Sequence, residues 1–169
     1  MSFFSMEGDG RWLGGTIVAI GLTLVSPPGS AQQAGPFSGL SGHWSGSGAV
    51  TLSDGSTERI HCRAVYAVAQ TGAALNQTLS CASASYNLHV TANVMSNGGG
   101  LSGSWTEATH SVSGSISGRA TSSDIQAYVS GAGFAASVGI RTHGGGQSVT
   151  IRPQGGTDVR AVSVTLRRG

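Results

Sequence analysis

Lysine is absent from this chain, and charge of either sign is scarce: charged residues make up 9% of the sequence, against about a quarter in ordinary globular proteins. The nine basic residues are all arginine and lie scattered along the chain. A nucleic-acid interface needs clustered cations interleaved with stacking aromatics, so no nucleic-acid partner is expected. Cysteine is limited to Cys62 and Cys81, with no second Cys/His pair to complete a zinc module. The longest apolar run, Trp12 to Val25, covers 14 residues, short of the roughly 18–20 that a helix needs to cross a bilayer. No stretch after it repeats at helical period, which removes the strand-to-helix turns on which phosphate loops and nucleophile elbows are built.

What is present is a chain rich in glycine, serine and threonine with a leader-like start. Residues 1–31 read as a secretory signal: the apolar run is broken by Ser26-Pro27-Pro28, and Gly29-Ser30-Ala31 supplies small residues for cleavage. Its n-region is poor in positive charge, since Glu7 and Asp9 offset Arg11, so an uncleaved anchor stays open as the alternative. Without those 31 residues, eight arginines face five acidic residues, a net charge of +3. The expected location is periplasmic or secreted, with no membrane span after cleavage.

Residues 32–41 read as a flexible lead-in and residues 42–169 as a single domain. In that domain short alternating segments are separated by Gly, Ser and Asn turns. The pattern predicts ten strands, over 43–52, 57–68, 75–82, 85–95, 101–107, 111–120, 124–130, 133–142, 147–153 and 159–167. The residues between the cysteines form a hairpin whose register sets Cys62 against Cys81, Ala64 against Leu79, Tyr66 against Gln77 and Val68 against Leu75. Every partner set falls on one face, as a half-buried strand pair requires. A disulfide therefore joins Cys62 to Cys81, in keeping with an oxidising compartment.

One face stays apolar along the chain while the other is mostly hydroxyl-bearing. The fold class is all-β: an antiparallel up-and-down meander closing into a calycin-like barrel, with a two-sheet sandwich as the alternative. An outer-membrane barrel is excluded by the hydroxyl-rich outer face. Trp44, Tyr66, Leu88, Trp105, Ile116 and Phe134 point inward and line the interior. Inward glycines and alanines at 46, 48, 64, 103, 114, 118, 127 and 136 leave room there for a small apolar ligand, or let the barrel flatten onto a filled core.

A meander assigns each turn to one of two ends, and that tests every constellation of reactive residues. His110 and His143 fall at opposite ends. His61 and His89 share the outer face but stand about 17 Å apart from ordinary strand spacings, too far to share a metal. No catalytic group, metal site or cofactor is expected. Glu58, Glu107 and Arg160 share inward parity near one end and form a polar cluster at the barrel mouth. It is either an ion pair closing the barrel or a group that fixes the head of a ligand.

The segment Leu40-Ser41-Gly42-His43-Trp44-Ser45-Gly46-Ser47-Gly48 carries Gly-x-Trp-x-Gly-x-Gly at the head of the first strand. It resembles the start of lipocalin-like barrels, and in its longer form the haem-binding nitrobindins. The lipocalin resemblance implies that Trp44 closes one end of the barrel beneath an arginine from a late strand, with Arg168 at the matching position. The chain departs from nitrobindins: Ala49-Val50-Thr51 replaces the expected Tyr-Pro, and no late-strand inward histidine is available, so haem is not carried over. The wider pattern, from Cys62-Arg63 to the terminal Leu166-Arg167-Arg168-Gly169, is similar to small exported proteins of Gram-negative bacteria. The functional expectation is a non-enzymatic exported barrel binding a small apolar ligand. The alternative is an envelope structural or interaction module with a filled core.

Overall fold

The computed structural model describes residues 34–169; the signal expected over 1–31 and the first two residues of the lead-in lie outside the described residues. Ten strands follow one another: β1 Gly42–Leu52, β2 Thr57–Val68, β3 Ala74–Ala82, β4 Asn87–Asn97, β5 Gly100–Glu107, β6 Val112–Ala120, β7 Asp124–Gly131, β8 Phe134–His143, β9 Gly146–Gln154 and β10 Val159–Arg168. Each pairs antiparallel with its chain neighbours, and β1 pairs with β10 to close the barrel. Closure leaves no free edge and rules out the sandwich. No helix among the described residues is long and apolar enough to cross a membrane.

The β2–β3 register pairs Cys62 with Cys81, Ala64 with Leu79, Tyr66 with Gln77 and Val68 with Leu75, and the two cysteines are disulfide-bonded. Constraining a loop of this length stabilises by roughly 3 kcal/mol. The bond staples two strands whose alternation already defines which face is buried. Leu75, Val94, Leu101, Ile116, Ile125, Val164 and Leu166 are buried on that face, while Ser102, Ser104, Ser113, Ser115 and Ser117 face solvent.

Three local details depart from expectation. The fourth strand begins at Asn87, two residues late, because Ser83 to Tyr86 form a turn of their own: Ser83 N donates to the Tyr86 carbonyl at 2.8 Å and Tyr86 N to Ser83 Oγ at 3.0 Å. Tyr86 therefore leaves the inner face and is 44% exposed. The longer turn also shifts the β3–β4 register, so His89 stands opposite Ser80, with Nδ1 3.0 Å from its Oγ, and nearer His61 along the sheet than expected. In β10, Thr51 pairs with Ala161 but Leu52 with Val159, which makes Arg160 the extra residue of a β-bulge.

The inward glycines act differently from the expectation that they empty the interior. A methyl group on Gly46 or Gly48 would run into the Thr165 or Ser163 carbonyl of β10, and one on Gly103 or Gly114 into the neighbouring strand's backbone. The sheet coils so tightly at these points that adjacent backbone occupies the place of a side chain. None of these glycines lines the central void.

Candidate functional site

One end of the barrel is sealed from below by the segment preceding β1. Gly35 N donates to the Thr71 carbonyl at 2.8 Å and Phe37 N to the Gly72 carbonyl at 3.0 Å, tying the segment to the β2–β3 turn. This docks Phe37, 1% exposed, and Leu40 into the core. The described part of the stretch expected to be a flexible lead-in, residues 34–41, is thus a plug. Its apolar pair, Phe37 and Leu40, was the available signal.

Trp44 lies on the plug. Its Nε1 donates to the Leu40 carbonyl at 2.8 Å, and the Arg168 guanidinium stands over its ring at 4.8 Å while also donating to the Gly39 carbonyl. The cation sits against the electron-rich ring face. Tyr66 meets the Trp44 ring edge-on, at 6.3 Å between centroids. Tyr66 Oη donates to Gln147 Oε1 at 2.8 Å, and Gln147 Nε2 to Thr142 Oγ1 at 3.3 Å. Burial pushes the Tyr66 phenol up to about 12, against the lowering effect of the Gln147 bond. Gln147, 2% exposed, was missed because an isolated glutamine in an alternating strand carries no sequence signal of its own.

Above this floor lies a cavity of about 250 Å³. Of the six residues expected to line the interior, Tyr66, Leu88, Trp105, Ile116 and Phe134 do so; Trp44 does not, and instead packs against Tyr66 and bonds the segment before β1. Trp105 and Phe134 pack edge to face at 5.8 Å, and Trp105 Nε1 donates to the Ser130 carbonyl at 3.3 Å. Val129, Val138, Ile140, Val149 and Ile151 point inward yet are only half-buried, because the void reaches them. The disulfide forms part of the wall. Apart from Tyr66, whose hydroxyl is already bonded, Gln77 is the polar side chain on the wall, and none of the described residues lining it is charged.

The expected mouth cluster does not assemble as an ion pair. Arg160 sits in the β-bulge and is turned out to solvent. The salt bridges among the described residues are His110–Glu107 and Arg141–Asp124. Each glutamate instead organises a nearby turn. Glu58 Oε1 accepts from Ser85 N at 2.7 Å, and bonds from the Ser83 side chain and the Ser85 amide lower its pKa. Glu107, 4% exposed, accepts from His89 N at 3.1 Å, Thr109 N at 2.8 Å and His110 N at 2.7 Å, and contacts His110 Nδ1 at 2.8 Å. Burial alone would raise its pKa, but the bonds from His89, Thr109 and His110 outweigh it and hold the carboxyl well below the usual carboxylate range. Both glutamates are therefore structural anions, each satisfied by backbone amides.

Among the described residues, no group of three or more His, Cys, Asp or Glu side chains is placed to hold a metal. What the arrangement offers is an apolar chamber, floored at one end and walled by aliphatic and aromatic side chains.

The chain has a calycin-like barrel fold. It is similar to the solved structure of an S-type phycobiliprotein lyase from Guillardia theta, with a TM-score of 0.53 and 10% identity over 79% of this chain and 90% of that one. At that identity the likeness concerns the fold. No family model matches the chain, and no curated protein matches it by sequence.

Proposed function

We propose that this protein is an exported, non-enzymatic barrel that binds a small, mostly apolar ligand in its interior. The observation that carries the reading is the cavity of about 250 Å³ walled by Leu88, Trp105, Ile116 and Phe134. It is larger than the roughly 150 Å³ at which an apolar protein cavity takes up benzene, and close to the lower end of small-molecule sites, at about 300 Å³. The Cys62–Cys81 disulfide supports a periplasmic or secreted location. A filled-core envelope module is less well supported, since its core would leave no such void.

The test sets occupancy against filling. Titrating the isotope-labelled protein with indane is expected to shift the amide resonances of β4, β5 and β8 around the cavity. Ala127→Leu, which projects a larger side chain into the void, is expected to abolish those shifts while raising Tm. Absence of shifts in the wild-type protein at saturating indane would refute the reading.

A further inference from the structure

Gln77 occupies the middle of β3, between Leu75 and Leu79 on the inward face. Its cross-strand neighbours are Tyr66 on β2 and Ala92 on β4. Tyr66 commits its hydroxyl to Gln147, and Ala92 has no polar side chain to offer. Gln77 thus lines the cavity with a carboxamide that no described residue engages by a hydrogen bond, and its polar atoms remain accessible, since no side-chain N or O atom among the described residues is both sealed and unpartnered. A polar group facing an apolar chamber is unfavourable unless something bonds it. Leucine or methionine at position 77 would continue the wall at no such penalty.

We infer that Gln77 is the ligand-specifying residue of the cavity, and that the ligand is an uncharged, largely hydrocarbon molecule bearing one carbonyl or hydroxyl oxygen. The inference rests on the proposed binding function. A carboxamide both donates and accepts, so it serves a carbonyl through Nε2 and a hydroxyl through Oε1. The surrounding wall selects against charge: none of the described lining residues is charged at neutral pH, and a carboxylate buried there would have no counter-ion. The buried Glu107 carboxylate does not line the cavity and is already engaged by the His89, Thr109 and His110 amides.

The experiment compares affinities for indane, 1-indanone and 1-indanecarboxylate in the wild type, Gln77→Leu and Gln77→Met, using the full mature chain. The raw preference between two probes includes their different cost of leaving water, so the quantity read is the ketone-to-indane affinity ratio. That ratio is expected to fall about tenfold from wild type to either variant, the order set by one hydrogen bond plus an amide no longer stranded. The carboxylate is expected to bind more weakly than the ketone in all three proteins. An unchanged ratio, or a carboxylate that binds more tightly than the ketone, overturns the role of Gln77 while leaving the cavity reading intact. Failure of every probe to bind any of the three proteins overturns both. Gln77→Met, close in length to glutamine, guards against a folding defect specific to leucine, and either variant is expected to keep or raise the wild-type Tm.

Discussion

Phe37 gives the sharpest test of how the barrel is closed, because it belongs to a stretch that alternation alone assigns to a loose leader. Its ring is 1% exposed and forms part of the cavity wall, and its backbone is fastened to Gly72 on one side and Leu40 on the other. Phe37→Ala removes the ring but leaves those backbone bonds in place. Truncation of a buried phenylalanine costs about 3–5 kcal/mol, rising with the cavity left behind. Here the new space joins an existing void, so the surroundings have little to collapse onto and the full penalty is expected. For a domain of this size each kcal/mol moves Tm by roughly 3–5 °C, so the variant is expected to melt about 10–20 °C below the wild type. Thermal unfolding followed by circular dichroism or calorimetry provides the measurement. Ser38→Ala is the control, because that side chain is exposed and bonds only the Gly35 carbonyl within its own turn. A Tm loss under about 3 °C for Phe37→Ala would show that the segment does not plug the barrel.

Gly48→Ala places a methyl group against the Ser163 carbonyl and the Val164 Cα of β10, both backbone, and is expected to prevent folding or cost more than about 2 kcal/mol; Gly139→Ala meets only the Gln126 amide at 3.6 Å and should be neutral or slightly stabilising in denaturant titration. Glu107 has a folded pKa below its ordinary value of 4.5, so its contribution is present above that value and lost as pH falls through the folded one. Urea midpoints of the wild type should therefore decline below about pH 4.5, and Glu107→Gln should flatten that limb; an unchanged limb would show that Glu107 is not the responsible group.

The architecture was legible wherever alternation and turn chemistry agreed. The hairpin between Cys62 and Cys81 came out in register because the disulfide pair and the apolar pairs Ala64–Leu79 and Val68–Leu75 constrain one integer. Legibility failed where a turn or bulge changed the count. Ser83 to Tyr86 build a turn from hydroxyl and carbonyl bonds, which moved Tyr86 out of the core. The extra residue at Arg160 reversed its parity, which removed the arginine from the mouth cluster. The bulge is an error of one residue, which a period-2 pattern converts into the wrong face; the turn is an error of two, which left Leu88 and Val90 facing inward and took Tyr86 into the turn itself. The plug escaped for a different reason: Phe37 and Leu40 are three apart in a turn, so no strand period reveals them. The polar roles of Gln77 and Gln147 depend on what stands across the barrel, which a single strand cannot show.

The void itself follows from strand number. An eight-stranded barrel is just filled by its own side chains, and diameter grows with each added strand, so ten strands enclose more than this aromatic-poor interior can occupy. At the rate seen for core cavities, about 24 cal/mol per Å³, a void of about 250 Å³ is equivalent to roughly 6 kcal/mol of forgone packing, comparable to the whole stability of many domains. Some of it could be recovered by one enlarged side chain, since Ala127 lines the space, and such filling substitutions are among the easiest stabilising changes to find. The wall was not closed in this way, although the same barrel carries a staple across β2–β3, an aromatic plug beneath and glutamates that lock its turns. Rigid surroundings keep an interior space from collapsing, and a carboxamide left facing that space gives it a direction. Occupation by a molecule that offers an oxygen to Gln77 accounts for the void and the unpaired amide together, whereas loose packing accounts only for the first.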